Sequence, residues 1–306
     1  MAPEPQFCTD ITTECLKYTI YGYRPNLGVN AFFVAFFAVC FGANIWLGIR
    51  CRIKGYAIAL ALGCLAMVLG YLGRLGLYFR PFDAIPFQAQ VCCLIIAPAF
   101  NSAAVYLMLK YLVELFGPEC SILKPKQYTI VFVTADIISL VLQATGGGIA
   151  ATAGSDKDML ELGNNIMMAG IAFQVVTLSI FAILSVLFLA RRIAARPVDP
   201  LSGTALEAWR SMRFRLFLFG LITAFTAIYI RCIYRIAEMR GGWGNDLMKD
   251  EIAFIILEGF MMLIATLAQT VLHPGLLFPA MLGPQMKSKD LSGTWTDITE
   301  LPIITK

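Results

Sequence analysis

Arg231, Arg235 and Glu238 stand at i, i+4 and i+7 in one apolar stretch, a spacing that sets all three on one face of a helix. Glu251 and Glu258 repeat the i, i+7 interval, and so do Asp136 and Gln143, the latter followed by Gly146-Gly147-Gly148. Arg74 ends a G-Y-L-G-R run, Asn101 lies one turn past Pro98, and Gln174 lies one turn past Gly170. Guanidinium, carboxylate and amide groups in apolar helices can hold a polar ligand or join helices, and the carboxyls of Asp136 and Glu258 or the imidazole of His273 can also carry a proton. Nothing here has the pattern of an enzyme. There is no histidine cluster, no nucleophile–base pair and no GxxxxGK[ST] loop to hold ATP. One histidine and no CxxC pair argue against a Cys/His zinc site, so no metal and no cofactor are expected.

The elements that position these groups must be membrane helices. The chain is 58% hydrophobic and 14% charged, against about 25% charged in globular domains. A hydrocarbon core of about 30 Å takes about 20 apolar residues per helix. Seven stretches qualify, near 29–49, 56–79, 89–116, 128–150, 163–190, 214–235 and 251–273. The expected fold is an all-α bundle of seven transmembrane helices over 29–275, with a leading segment 1–28 and a polar, unordered tail 276–306. The first 28 residues have no signal-peptide core, so the first span is expected to direct insertion.

Basic residues concentrate on one side: Arg50, Arg52 and Lys54; Lys124 and Lys126; Arg191, Arg192, Arg196, Arg210 and Arg213; and Lys287, Lys289 and Lys306 in the tail. The positive-inside rule makes those segments cytoplasmic, the N-terminus exoplasmic and the C-terminus cytoplasmic. In that orientation Arg74, Asn101, Gln143, Gln174, Arg231, Arg235 and Glu258 fall in the outer halves of six spans. Asp136 and His273 lie near or below the middle. Glu238 and Glu251 are expected at the lipid–water boundary, where charge costs little. Two accounts of the outer layer stand side by side. It is a polar cavity opening to the exoplasmic leaflet, or it is interhelical glue worth on the order of 1 kcal/mol per contact. The three glycines either line that cavity or let two helices close. On the outer face Cys8 and Cys15 can form a disulfide, with Cys92 and Cys93 as other partners. The basic stretch 191–215 serves topology, or meets anionic lipid or a cytosolic partner; no nucleic-acid partner is implied.

A set of runs in chain order carries a resemblance. They are Tyr23-x-Pro25 with Asn30, G-Y-L-G-R (Gly70 to Arg74), A-P-A-F-N-S-A-A-V-Y (Ala97 to Tyr106), Asp136 with Q-A-T-G-G-G (Gln143 to Gly148), Gly170 with Gln174, R-C-I-Y-R-I-A-E (Arg231 to Glu238), Gly241 to Gly244, Glu251, and His273-Pro274-Gly275. The chain resembles the fungal lipid-translocating exporters, seven-span proteins associated with resistance to aminosterols and sphingoid long-chain bases. The resemblance implies a carrier of amphipathic lipids, flippase-like and in the plasma membrane. Met67 stands where that family usually has an acid, and Phe254 and Glu258 where it has Tyr and Asp. These departures remove one partner for Arg74 and leave room for a different substrate.

The other reading is a receptor or lipid sensor, because seven spans with an external N-terminus match the topology of G-protein-coupled receptors. Neither D-R-Y at the end of the third span nor N-P-x-x-Y in the seventh is present, and residues 251–273 contain no lysine for a retinal Schiff base.

Overall fold

The computed structural model describes residues 21–153, 156–195, 203–240, 247–277, 287–289 and 295–297. Among them seven helices are long and apolar enough to cross a membrane: Leu27–Cys51, Lys54–Phe79, Ile85–Phe116, Pro125–Ala150, Lys157–Ala195, Met212–Arg240 and Glu251–Leu277. They are the first to seventh spans of an integral membrane protein. The seven apolar stretches are found where hydropathy puts them, but several helices outrun them. The fifth has 39 residues, about 58 Å at 1.5 Å per residue, so its ends reach well beyond the hydrocarbon.

Local chemistry sets the ends. Asn26 caps the first span, its side chain accepting from the Val29 amide at 3.1 Å. Asp250 accepts from Ile252 and Ala253 at 3.0 and 3.1 Å to start the seventh. Arg52 adopts a left-handed conformation, φ 57°, and closes the first span so that the second starts at Lys54. A short helix, Gly203–Arg210, precedes the sixth span.

The outside of the bundle is apolar and the inside holds the polar groups. Val39, Ile49, Ile183 and Val186 are each more than half exposed, whereas Arg74, Asn101, Glu258 and His273 are fully buried. Lipid explains that inversion, since a leucine or valine gains nothing by leaving an apolar solvent. Helices then associate through shape. Between the fourth and fifth spans, a Cβ at Gly146 would lie 2.4 Å from the Met167 amide nitrogen and 2.6 Å from the Gly163 carbonyl. A Cβ at Gly163 would in turn lie 2.6 Å from the Ala150 nitrogen. Gly148 has open space where a Cβ would be. Of the two roles open to the triple glycine, Gly146 therefore takes close approach.

On the other side of the bundle Tyr71 stacks against both Phe33 and Phe37, with ring centroids at 4.8 and 5.9 Å, and fixes the second span against the first. The seventh span is not uniform. Glu251–Phe254 is α-helical, Ile255–Phe260 makes a π-helical turn, and Met261–Val271 resumes the α-helix. In the tail, expected to be unordered, Lys287–Lys289 pairs antiparallel with Trp295–Asp297, Lys287 opposite Asp297. Three residues a side make a marginal pairing in water.

The packing leads to a stability contrast. Gly146→Ala pushes a methyl into fixed backbone and should destabilise by about 1–3 kcal/mol. Gly148→Ala should be neutral or stabilising by up to about 1 kcal/mol, because alanine is the better helix former. Thermal unfolding of both variants in detergent checks this; equal melting temperatures would remove Gly146 from the interface.

Candidate functional site

Pro98, inside the third span, has no N–H to give to the carbonyl of Leu94 one turn earlier. In a bilayer interior such an orphan carbonyl costs several kcal/mol. Arg231 of the sixth span supplies the missing donor: its Nη2 donates to the Leu94 oxygen at 2.5 Å. The same nitrogen donates to Glu258 Oε1 at 2.8 Å. Glu258 sits on the π turn of the seventh span. One turn along the sixth span, Arg235 Nε lies 3.0 Å from the other oxygen of Glu258, and Arg235 Nη1 donates to Glu238 Oε2 at 2.5 Å. The Nε contact is an ion pair, its alignment too poor for a hydrogen bond. One carboxylate thus bridges two guanidinium groups, and the stripe read from the spacing of Arg231, Arg235 and Glu238 turns inward as a unit. Glu238, expected near the lipid–water boundary, is enclosed by protein, and its partner Arg235 lies three residues away on the same helix. Glu251 remains part-exposed at its helix start.

Arg74 forms a second centre beside the first. Its guanidinium lies 3.8 Å over the Phe254 ring. Its Nη2 donates to the Tyr23 hydroxyl at 2.6 Å and lies 3.9 Å from Glu251, whose carboxylate meanwhile accepts from the Asn26 amide at 2.6 Å. With Met67 in the usual acid's place, the carboxylate nearest Arg74 comes from the seventh span. Its Nε and Nη1 have no hydrogen-bond partner. Tyr21 covers this end, its hydroxyl accepting from Gln90 at 2.7 Å and its ring 5.1 Å from Arg74. Burial pushes the Tyr21 phenol up to about 12 against the opposing charge of Arg74, and raises Tyr23 in the same way, so both stay neutral at physiological pH.

Tyr21, Gln143, Gln174, Arg231, Arg235 and Met248 are among the walls of a narrow cavity that admits about one water molecule. Gln143 donates to Gln174 at 3.3 Å and to Ser139 at 2.7 Å, and Ser139 donates to the Gly170 carbonyl at 2.7 Å. Glu258 reaches the cavity through the two arginines it holds.

Other residues singled out from the sequence lie elsewhere. Asn101 donates to its own helix at Ala97 and faces Gly63 of the second span. Asp136 accepts from Ser102 of the third span at 2.7 Å, and among the described residues no cation pairs with it. His273 is fifteen residues beyond Glu258, about 22 Å along the helix. There its Nδ1 accepts from the Gly275 amide at 3.1 Å and its ring meets Tyr56 edge-on. Cys8 and Cys15 lie outside the described residues; Cys92 and Cys93 form no disulfide among the described residues. Sequence reasoning missed the Leu94 carbonyl and Tyr21. The first was accessible, because a proline in a span names its orphan carbonyl four residues back. Tyr21 precedes the first helix and carries no periodic signal.

Arg231→Leu strands the Leu94 carbonyl and takes from Glu258 its hydrogen-bonded partner, a loss of about 3–5 kcal/mol. Arg231→Met combined with Glu258→Met should cost less than the single change, because no unpaired carboxylate is left. Melting temperatures of the three purified proteins decide it; an Arg231→Leu protein that melts like the parent would sink the ion cluster as a structural element.

No solved structure matches the chain. Residues 60–281 match the model of the family described as RTA1 like protein. The sphingoid long-chain base transporter RSB1 of Saccharomyces cerevisiae is 32% identical over 84% of this chain and 74% of its own length. Protein RTM1 of the same organism is 26% identical over 69% of this chain and 64% of its own. Its protoporphyrin uptake protein 1 is 27% identical over 68% and 65%. The family match runs from within the second span through the seventh and includes Arg74, the Arg231–Glu258 pair and the cavity walls other than Tyr21, and the chain therefore belongs to the RTA1-like family of seven-span membrane proteins.

Proposed function

We propose that this protein carries amphipathic lipids, of the class to which sphingoid long-chain bases belong, across a fungal plasma membrane without enzymatic chemistry. The observation that carries this reading is the charged cluster of Arg231, Arg235, Glu238 and Glu258 buried beside a water-sized cavity inside a lipid-embedded bundle. Charge at that depth is expensive, and in membrane proteins it marks substrate and ion pathways. Relatives named as a sphingoid long-chain base transporter and a protoporphyrin uptake protein support a carrier of amphiphiles over a receptor or an enzyme.

The cavity is too small for a lipid headgroup, so loading requires helices to part. Packing indicates which end resists. At the His273 end a Cβ on Gly275 would lie 2.4 Å from Cys51 Cβ, and one on Gly220 would lie 2.4 Å from Leu272. These contacts close that end tightly. At the end bearing Tyr21 and Tyr23 the second and third spans and the fourth and fifth meet backbone to backbone at Gly73, Gly146 and Gly163, but the wall made by Tyr21, Tyr23 and Arg74 is held by side-chain contacts, which rotate more readily than helices separate. In this scheme the headgroup enters beside Tyr21 while the chain stays in the bilayer. Asp136, hydrogen-bonded to Ser102 and with no cation paired to it among the described residues, is the carboxyl best placed to cycle a proton; Glu258, held by two arginines, is not. The Lys/Arg asymmetry supports an exoplasmic N-terminus, which makes the Tyr21 end the outer one.

Reconstitution tests the function. Purified protein in liposomes should accelerate movement of a fluorescent sphingoid base between leaflets at least several-fold over empty liposomes, and Asp136→Asn should abolish any dependence on a pH gradient. Saturable binding without transfer would replace the carrier with the sensor reading. For orientation, protease added to intact cells should remove a tag placed before Met1 and spare one after Lys306; the reverse pattern would invert the scheme.

A further inference from the structure

The cavity beside Tyr21 has room for about one water molecule, and a hydroxyl group is the same size. Three groups on its walls hold polar hydrogens that no acceptor takes among the described residues. Gln174 Nε2 of the fifth span and Arg231 Nε of the sixth are buried without hydrogen-bond partners. Tyr21, ahead of the first span, accepts from Gln90, and nothing accepts its own O–H. Burial keeps that proton on the phenol. Acceptors on the walls are better served, since Gln174 Oε1 takes a hydrogen bond from Gln143.

Charge is already matched around the cavity. Glu258 lies 2.8 Å from Arg231 and 3.0 Å from Arg235, and Arg235 also pairs with Glu238. Glu258 Oε2 and Arg235 Nε make no aligned hydrogen bond, but each neutralises the other. Arg74, with two unpartnered nitrogens, and Gln90, with an unpartnered Oε1, do not line the cavity. What the walls lack is a small neutral acceptor. A carboxylate or phosphate would bring charge that the two arginines no longer need, and a methylene would leave the donors unmet.

Resting on the carrier reading, we infer that this cavity is a hydroxyl subsite: it takes one hydroxyl of the lipid headgroup, whose oxygen accepts from two of the donors on Gln174, Arg231 and Tyr21. A hydroxyl oxygen has the two lone pairs this needs and carries no charge to desolvate. The donors come from three separate elements, so the oxygen is held only when all three close around it. An ammonium group only donates and does not replace the hydroxyl. In a sphingoid base the amine stays at the mouth while a hydroxyl enters, so the subsite chooses among long-chain amines by their hydroxyls and does not exclude the amine.

Displacement of a fluorescent sphingoid base from the full-length protein in dodecyl maltoside tests this. Sphinganine and octadecylamine share chain length and an amine, and only sphinganine carries hydroxyls. Sphinganine should bind at least about tenfold more tightly, a difference of about 1.4 kcal/mol or more. Gln174→Met, which keeps the volume and loses the donor, should bring the ratio to within about threefold, and Tyr21→Phe, which keeps the ring, should narrow it as well. Melting temperatures measured on the same preparations separate loss of the site from loss of the fold. If both variants unfold, the wild-type ratio alone decides. Equal binding of the two amines by the wild type would overturn the hydroxyl subsite, leaving water as the cavity's occupant and the carrier intact. A preference that both folded variants keep would place the hydroxyl elsewhere and overturn the subsite too, as would the absence of saturable binding by either amine. Liposomes answer separately for the carrier: a protein that prefers sphinganine but transfers no fluorescent base would keep the subsite and fail the carrier reading.

Discussion

The bundle is organised around one unmet demand: a proline in the third span leaves the Leu94 carbonyl without its helical donor, and a bilayer offers no water to replace it. Arg231 meets the demand and, in doing so, must be buried with its charge. That charge requires Glu258, Glu258 draws in Arg235, and Arg235 draws in Glu238. Three spans are tied together by a chain of necessities that begins with a missing N–H. No member of the chain is tolerable alone, which is why the cluster is at once a structural clamp and the most polar surface in the interior.

That double role resolves the contrast between glue and cavity drawn from the sequence. The groups at the Tyr21 end do both. Glu258 and Arg235 are bonded as glue would be, yet Arg231 also lines a crevice and keeps an unused nitrogen. Arg74 leans the other way, set 3.8 Å over the Phe254 ring and 5.1 Å from that of Tyr21, with its carboxylate, Glu251, 3.9 Å away. On the fourth and fifth spans, Gln143 and Gln174 close the crevice with a weak amide pair, 3.3 Å long, that a guest could displace at little cost.

Much of this was legible before any coordinates. Seven apolar runs of the right length name the spans because a membrane helix must satisfy its own backbone, and the i, i+4, i+7 spacing of Arg231, Arg235 and Glu238 names a shared face because helix geometry is fixed. Depth along a span placed Gln143, Gln174 and the arginines in one layer. It could not say which members of a layer meet, since that depends on how each helix is rotated. Asn101 shares the depth and faces Gly63 instead. For Glu238, proximity to a helix end argued for the boundary and was silent on Arg235, the partner three residues away that accompanies its enclosure by protein. Tyr21 was illegible because no helical period governs a residue ahead of the first helix.

The π turn at Ile255–Phe260 bears on the history of the fold. A π turn is an α-helix with one residue too many, so the two halves of the seventh span are out of phase by the angle of a single residue, about 100°. The extra residue lets Glu258 meet Arg231 while Thr266, Gln269 and His273, further down, still face inward. A chain lacking it would need a smooth helix there, and could keep one polar face in register with the bundle but not both. Relatives that share the arginine pair should accordingly match this one residue for residue between Asp250 and His273, with gaps confined to the loops on either side.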